Sequence, residues 1–195
     1  YPYLRSHPLS TEREADAIAR VQQLQTVSEP VQSLQFALVK ARATVLLASE
    51  AELERLALIH AQTRMNATLA QQATSIYVRS MADLRLGNLD KAMTAWQALD
   101  RLVPLPDASR AWVQSLKAEI LLAQKQPAQA LEVMGKGPFN RAERLLRNRA
   151  LLASGEAVQQ RAAIEDLELL CAINPRDALA WEEVAQAWQA QGFPL

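Results

Sequence analysis

The chain has 195 residues, half of them hydrophobic, and 21 basic residues balance 21 acidic ones, so the net charge is zero. This balance argues against a nucleic-acid-binding protein, which would carry a basic excess, and the single cysteine excludes an intrachain disulfide. Few glycines and aromatic residues argue against a β-sandwich, and the abundance of Ala, Leu, Gln, Glu and Arg predicts an all-helical chain.

The first predicted helix follows an extended opening that contains two prolines. Thr11-Glu12-Arg13-Glu14 matches a capping box, with Thr11 as N-cap and Glu14 reaching back to it. We expect the helix to continue to about Val27, because Glu29-Pro30 breaks it. No apolar run reaches the roughly 18–20 residues that a membrane span needs.

Two further helices are predicted between residues 31 and 66. The first is expected to end near Ala48, and Ser49 or Glu50 opens the second. The apolar positions of the two follow helical spacing: Val31, Leu34, Leu38, Ala41 and Val45, then Leu53, Leu56, Ala57 and His60. Their size suits a helix pair, but their signature is poor, so residues 11–66 are predicted to be N-terminal helices with a degenerate repeat.

The segment that follows resembles a tetratricopeptide repeat. Gly87 falls at a helix–helix corner, Ala92 where two helices approach closely, Trp96 between them and Pro104 after the second helix. The apolar residues assigned to the two helices are Ala73, Ile76, Tyr77, Met81 and Leu84, then Leu89, Ala92, Met93, Trp96, Leu99 and Val103.

Similar units recur towards the C-terminus. Corners are predicted at Lys125-Gln126-Pro127 and Ser154-Gly155, and Ala130 and Ala163 occupy the small-residue position of Ala92. Their spacing stays near the ideal period of about 34 residues. The predicted fold is all-α: a tetratricopeptide-repeat-like, right-handed solenoid of antiparallel helix pairs over residues 67–195. A generic helical bundle with chance matches is the alternative.

The last predicted helix occupies the first-helix position of one more repeat, at Ala178, Trp181, Ala185, Trp188 and Gly192. Polar residues are expected on its outer face, which would make it a terminal cap that keeps the array soluble: Glu182, Glu183, Gln186 and Gln189.

Solenoids of this type usually bind proteins, and their first helices line a concave groove. The predicted partner-binding residues are the non-core positions of helices 73–86, 109–124 and 141–153: Arg79, Asp83, Gln114, Lys117, Arg144, Arg147 and Asn148. Arg141, Arg144, Arg147 and Arg149 form the densest charge cluster, which would suit a carboxylate of a peptide. The alternative is a solvated helix face balanced by Glu143. The aromatic residues are expected to be mostly core: Tyr77, Trp96, Trp112, Trp181 and Trp188.

The opening Tyr1–Arg13, with Ser6-His7-Pro8 before Glu12-Arg13, is not repeat sequence. It resembles the end of the catalytic domain in Ste/HtpX-type zinc metallopeptidases, whose periplasmic members assist outer-membrane protein assembly. The resemblance implies that residues 1–10 are the tail of a metallopeptidase domain and that the chain is part of a longer periplasmic zinc protein. His7 would then lie near the catalytic domain, or else position a proline-containing turn.

The zinc motif of that family is missing from this chain. His-Glu-x-x-His places two histidines one turn apart on a helix, whereas His7 and His60 each lack a second histidine at that spacing. We therefore expect no zinc and no hydrolysis in this chain, with zinc in the parent. Cys171, in an apolar run, is predicted to be a buried inert thiol. The predicted function is binding of protein or peptide clients beside outer-membrane assembly machinery; a stand-alone scaffold and an enzyme in its own right are the alternatives.

Overall fold

A computed structural model of the chain describes residues 10–23, 33–61, 67–102 and 107–191, and these ranges are helical with no strand. Packing divides the chain into two units, residues 1–32 and 33–195. The first contains α1 (Ser10–Gln23), which already includes Thr11, so Thr11 is not its N-cap. Several predictions lie outside the described residues, namely those for His7, Val27, Val31, Val103, Pro104 and Gly192.

The second unit contains the remaining helices of the described ranges. They are α2 (Leu34–Leu47), α3 (Glu50–Ile59), α4 (Leu69–Arg85), α5 (Leu89–Arg101), α6 (Asp107–Ala123), α7 (Pro127–Met134), α8 (Arg141–Ala153), α9 (Ala157–Ile173) and α10 (Ala178–Ala190). Capping boxes fix the N-termini of α4 and α8, where they join Thr68 to Gln71 and Asn140 to Glu143. The prediction of an all-α chain is confirmed.

Helices α4 to α9 pack as three consecutive pairs: α4 with α5, α6 with α7 and α8 with α9. Each pair turns at a residue in the left-handed region, Gly87 (φ 76°), Lys125 (φ 60°) or Gly155 (φ 74°). At the first two corners the following amide donates back to the helix, Asn88 to Asp83 and Gln126 to Leu121, each at 2.9 Å. This is the Schellman arrangement, which ends a helix and reverses the chain.

Small residues allow the paired helices to approach closely. Ala92 of α5, Ala130 of α7 and Ala163 of α9 are each 0% exposed, as their predicted role requires. We call α4, α6, α8 and α10 the first helices and α5, α7 and α9 the second helices. Each second helix also packs on the next first helix, and Trp96 of α5 donates from Nε1 to the carbonyl oxygen of Val113 on α6 at 2.8 Å.

The N-terminal helices of this unit depart from the predicted degenerate repeat. Leu38, Ala41 and Val45 of α2 are buried, as expected, but α2 and α3 do not pack along each other. Both pack on α4, and α2 also reaches α6. The junction explains this, because Ala48 and Ser49 are both extended and no left-handed residue turns α3 back along α2.

The prediction for the last helix is partly wrong. Trp181 of α10 is 51% exposed instead of core, and Glu183 is buried instead of lying on the outer face. The cause is which side of α10 packs against α8 and α9. Its buried residues are Ala180, Glu183, Val184 and Ala187. Tyr77 and Trp96 are buried, as predicted, and Trp112 and Trp188 are half-buried.

Candidate functional site

Helix α2 covers the first helices of the first two pairs. Its Arg42 pairs with Glu119 of α6 and donates from Nη1 to the hydroxyl of Tyr77 on α4 at 3.3 Å. The same guanidinium lies 6.0 Å from the ring centroid of Trp112 on α6. One arginine therefore joins α2 to two first helices.

Arg85 of α4 fixes the other end of this contact. Its Nη1 donates to the carbonyl oxygens of Val45 at 2.9 Å and Leu46 at 2.8 Å, in the last turn of α2, where carbonyls lack their usual partners four residues further along the helix. A cation at this end also suits the helix dipole.

The charges around Arg42 favour its ionised form. Burial lowers the pKa of its guanidinium, but Glu119 and Tyr77 outweigh that effect, and the net pKa is raised. Burial raises the pKa of the Tyr77 hydroxyl, although Arg42 opposes the shift. The contact is thus an ion pair beside the hydroxyl of a buried tyrosine.

The predicted partner-binding residues of α4 and α6 are half-buried or buried. Asp83 is 4% exposed. Its carboxylate oxygens lie 3.8 Å from Nε of Arg79 and 3.5 Å from the side-chain amide nitrogen of Asn88. Lys117 places its Nζ 4.5 Å from the ring centroid of Trp96, and Gln114 is half-buried. The description of Asp83 as a non-core position is wrong, because it packs at the corner between α4 and α5.

The arginine cluster of α8 is largely paired within the chain. Arg144 makes a two-point contact with Asp166 of α9, and Asn148 donates to the same carboxylate at 2.7 Å. Asn148 is 2% exposed, so its description as non-core is also wrong. Burial opposes ionisation of Asp166, but these donors outweigh it and lower the pKa of its carboxyl.

Two other arginines of the cluster pair with the loop before α10 and with α10 itself. Arg141 makes a two-point contact with Asp177, the N-cap of α10, and lowers the pKa of that carboxyl to about 2. Arg149 pairs with Glu183. Arg141, Arg144 and Arg149, which were predicted to suit a peptide carboxylate, therefore already bind carboxylates of the chain itself.

Arg147 differs from the other three, since it forms no ion pair among the described residues. Its guanidinium lies over Phe139, 5.5 Å from the ring centroid. A shallow cavity of 260 Å³ opens beside it, lined by Phe139, Arg144, Arg147, Asn148, Leu151, Ala162 and Asp166. The polar groups of its wall are mostly engaged with one another.

A larger cavity of 340 Å³ lies between the first helices α8 and α10. Leu152 and Ala153 of α8 and Ala187 and Ala190 of α10 give it apolar surface. The polar lining residues are Arg149, Gln160, Glu183, Gln186 and Gln191. Arg149 and Glu183 satisfy each other, and the amide nitrogens of Gln160 and Gln186 donate to the carbonyl oxygen of Leu152 and to Glu182, each at 3.3 Å. The amide oxygens of these two glutamines are the groups suited to an uncharged hydrogen-bond donor.

The predicted partner-binding residues did not include Arg42 and Glu119, which lie at the α2 contact, or Glu183 and Gln186, which line the larger cavity. For two of them the signal is the position relative to the end of a first helix. Glu119 of α6 and Gln186 of α10, like Arg149 of α8, lie four residues before the last residue of the helix. These residues share the face that α2 covers on α6 and that remains open on α8 and α10. Of the predicted residues, Arg144 and Asn148 instead contact the second helix α9.

The described ranges show no cluster of three His, Cys, Asp or Glu side chains arranged to hold a metal ion. None of their helices combines the length and apolarity that crossing a bilayer requires. His60 is the C-cap of α3 and hydrogen-bonds through Nδ1 to the Ser75 hydroxyl at 2.7 Å.

No protein-family model matches this sequence, and no curated protein is significantly similar to it.

Proposed function

We propose that the chain is a protein-recognition module built as a tetratricopeptide-repeat-like, right-handed solenoid. Three features support this architecture: pairs that turn at left-handed residues, a fully buried alanine in each second helix, and packing of each pair on the next. Surfaces formed by stacked helix pairs serve recognition because each added pair extends the same face.

The observation that carries the proposal is the cavity between α8 and α10. It lies between two successive first helices, where such a solenoid places its groove, and it combines apolar surface with glutamine amides. An extended peptide fits this chemistry, since a small apolar side chain would enter the cavity while Gln160 and Gln186 hydrogen-bond to its backbone. The equivalent face of α4 and α6 is covered by α2.

A random dodecapeptide library panned on the immobilised chain tests this function. Ala153→Trp, which fills the cavity from the exposed end of α8, should weaken binding of the enriched peptides at least about tenfold. Ala172→Trp replaces an exposed alanine of α9 that does not line the cavity, and it should leave binding unchanged. Equal binding by both variants would exclude this cavity as the peptide site.

The cellular setting that we propose rests on the resemblance of the opening segment. In it the chain is part of a periplasmic zinc metallopeptidase involved in outer-membrane protein assembly or quality control. In that setting the module would present clients to the protease domain, and His7 would lie close to that domain. A His-Glu-x-x-His segment encoded upstream of Tyr1 would support the setting, and an upstream region that lacks it would favour a stand-alone scaffold.

A further inference from the structure

The guanidinium of Arg147 is held in place but has no acceptor among the described residues. Its side chain is half-buried, and it donates no hydrogen bond to any of them. The ring of Phe139 lies against it, with the centroid 5.5 Å away. Stacking on a ring uses the face of a guanidinium and leaves the N–H groups in its plane free. Arg147 can therefore still form a two-point contact with an oxyanion.

The loop before α8 positions this aromatic ring. A Cβ added at Gly137 would lie 2.5 Å from Cδ2 of Phe139, so the ring packs where only a glycine leaves room for it. Asn140, the next residue, is fixed as the N-cap of α8 by its capping box with Glu143. The ring and the guanidinium stacked on it are thus placed by local structure, which reduces the entropy that a ligand must remove on binding.

A second group in the same cavity also has hydrogen-bonding capacity to spare. Asn148 is 2% exposed, and its Nδ2 donates to Asp166 at 2.7 Å. Because an ionised carboxylate only accepts hydrogen bonds, it is the nitrogen that faces Asp166, and Oδ1 is the free amide atom. No described residue donates to this Oδ1, yet it is not among the fully enclosed atoms that lack a hydrogen bond. Since Asn148 lines the 260 Å³ cavity, this acceptor opens into it.

The charges of the lining select the kind of ligand. Arg144 and Arg147 carry two positive charges and Asp166 one negative charge, which leaves a net charge of +1. Arg144 is already held by Asp166 in a two-point contact, so the excess charge is that of Arg147. One carboxylate neutralises it, whereas a phosphate dianion would leave excess negative charge beside Asp166. Leu151 and Ala162 add apolar surface.

We propose that this cavity, the Arg147 cavity, binds a small monocarboxylate that carries a hydrogen-bond donor next to its carboxylate. The carboxylate accepts from the free N–H groups of Arg147, the donor reaches Oδ1 of Asn148, and a methyl-sized group lies on Leu151 and Ala162. The C-terminal residue of a peptide and a free N-acylated amino acid share this chemistry. The Arg147 cavity has no lining residue in common with the cavity between α8 and α10, so it is a site beyond the proposed function.

Titration of the full chain with N-acetylalanine tests the site, with the uncharged N-acetylalanine amide as control. The readout is the NMR signal of the Arg147 Nε–H group, assigned by its absence from the spectrum of Arg147→Gln. We expect this signal to shift with a roughly millimolar dissociation constant, as suits a ligand with few contacts. The amide and inorganic phosphate should each bind at least about tenfold more weakly.

Two variants of α9 sharpen the test. Ala162→Trp fills the cavity from an exposed position and keeps Arg147, so it should weaken binding of N-acetylalanine at least about tenfold. Arg161→Gln, the matched control, removes the charge of an exposed arginine that does not line the cavity, and it should leave binding unchanged. If circular dichroism shows that Ala162→Trp is misfolded, the amide control on the unaltered chain decides.

Three results overturn the proposal: an Arg147 signal that N-acetylalanine does not shift, one that the amide shifts equally, and undiminished binding in folded Ala162→Trp. Equal affinity for inorganic phosphate contradicts the charge argument and overturns it as well. A tetrapeptide ending in alanine separates the two sources of ligand. Binding as tight as that of N-acetylalanine assigns the site to peptide C-termini, and weaker binding assigns it to free small acids; either result supports the site. Ala153→Trp should leave all of this unchanged, so failure of the peptide cavity is distinguishable from failure here.

Discussion

Arg42 of α2 and Glu119 of α6 form an ion pair although they are 77 residues apart in the sequence. Their side chains retain 22% and 20% of their exposure, so water screens the pair only in part. Tyr77 and Trp112 complete the surroundings of the guanidinium, which links α2 to two successive first helices.

Removal of the acidic partner should destabilise the fold. Glu119→Ala leaves the Arg42 guanidinium without a counter-charge in a mostly buried site, and we expect a loss of about 2 kcal/mol in the free energy of unfolding. Urea denaturation measures this loss. Glu165→Ala, at an exposed position of α9, is the matched control and should change stability by less than about 0.5 kcal/mol. A Glu119→Ala midpoint equal to that of the control would show that the pair contributes little.

The Asp177 carboxylate should make the last helix sensitive to acid. Arg141 lowers the pKa of this group from 3.8 to about 2 in the folded chain, so ionised Asp177 favours the folded state. This contribution is complete above about pH 5 and is lost as the pH falls towards 2, because the unfolded state then binds the proton more readily. Asp177→Asn keeps an N-cap side chain but removes the charge.

Thermal unfolding across this pH range compares the two proteins. The difference in melting temperature between wild type and Asp177→Asn should be largest at neutral pH and shrink on acidification. A difference that stays constant from neutral pH to pH 3 would contradict the assigned role of Arg141.

The corner residues predict stability changes of opposite sign. At Gly87 an added Cβ would meet no atom within 4 Å, so Gly87→Ala costs only the left-handed backbone strain, about 1 kcal/mol. Lys125 already bears that strain at φ 60°, and Lys125→Gly should stabilise the chain by up to about 1 kcal/mol. Chemical denaturation of both variants measures whether the free energy of unfolding falls for Gly87→Ala and rises for Lys125→Gly. Destabilisation by Lys125→Gly would mean that its side chain makes contacts that outweigh the strain.

Arg144→Glu combined with Arg147→Glu is not a clean test of partner binding. Arg144→Glu places a carboxylate against Asp166 and removes its two-point partner, at a cost of about 2 kcal/mol. Arg147→Glu also loses the contact with Phe139, worth about 0.5 kcal/mol. We expect the double variant to unfold at lower urea concentration than wild type. Retained wild-type stability would show that these contacts contribute little and that the two arginines are available to bind a ligand.

Cys171 should react slowly with thiol reagents while the chain is folded. The side chain is buried, and burial raises the pKa of its thiol, so little thiolate is present or accessible at neutral pH. Ellman's reagent should modify it at least about a hundredfold faster in denaturing urea than in buffer. Rapid labelling of the folded chain would show that the α9–α10 core opens readily.

Local patterns predicted the helices well. The apolar spacing of Leu38, Ala41 and Val45 identified the buried side of α2, and the corners at Gly87 and Gly155 lie where glycine and helix spacing placed them. These features depend on residues close in sequence, so a single sequence contains the information that they require.

The candidate site depends on contacts between distant residues, and there the predicted non-core positions of Asp83 and Asn148 were wrong. Asn148 is polar, yet it is buried because Asp166 of another helix accepts its hydrogen bond. Arg141 is compensated by Asp177, 36 residues further along the chain. The contact of α2 with α4 and α6 likewise joins distant residues, among them Arg42 and Glu119, and no local periodicity encodes that pairing.

Helix α2 also makes the two ends of the array unequal in cooperativity. By bridging α4 and α6, it couples the first two helix pairs, so that opening either pair disrupts contacts of both. The α8–α9 pair and α10 are joined by the ion pairs of Arg141 and Arg149, but among the described residues no additional helix lies across them as α2 lies across α4 and α6. Hydrogen exchange should therefore begin at the C-terminal end, which is also the end where the open cavity and Trp181 lie.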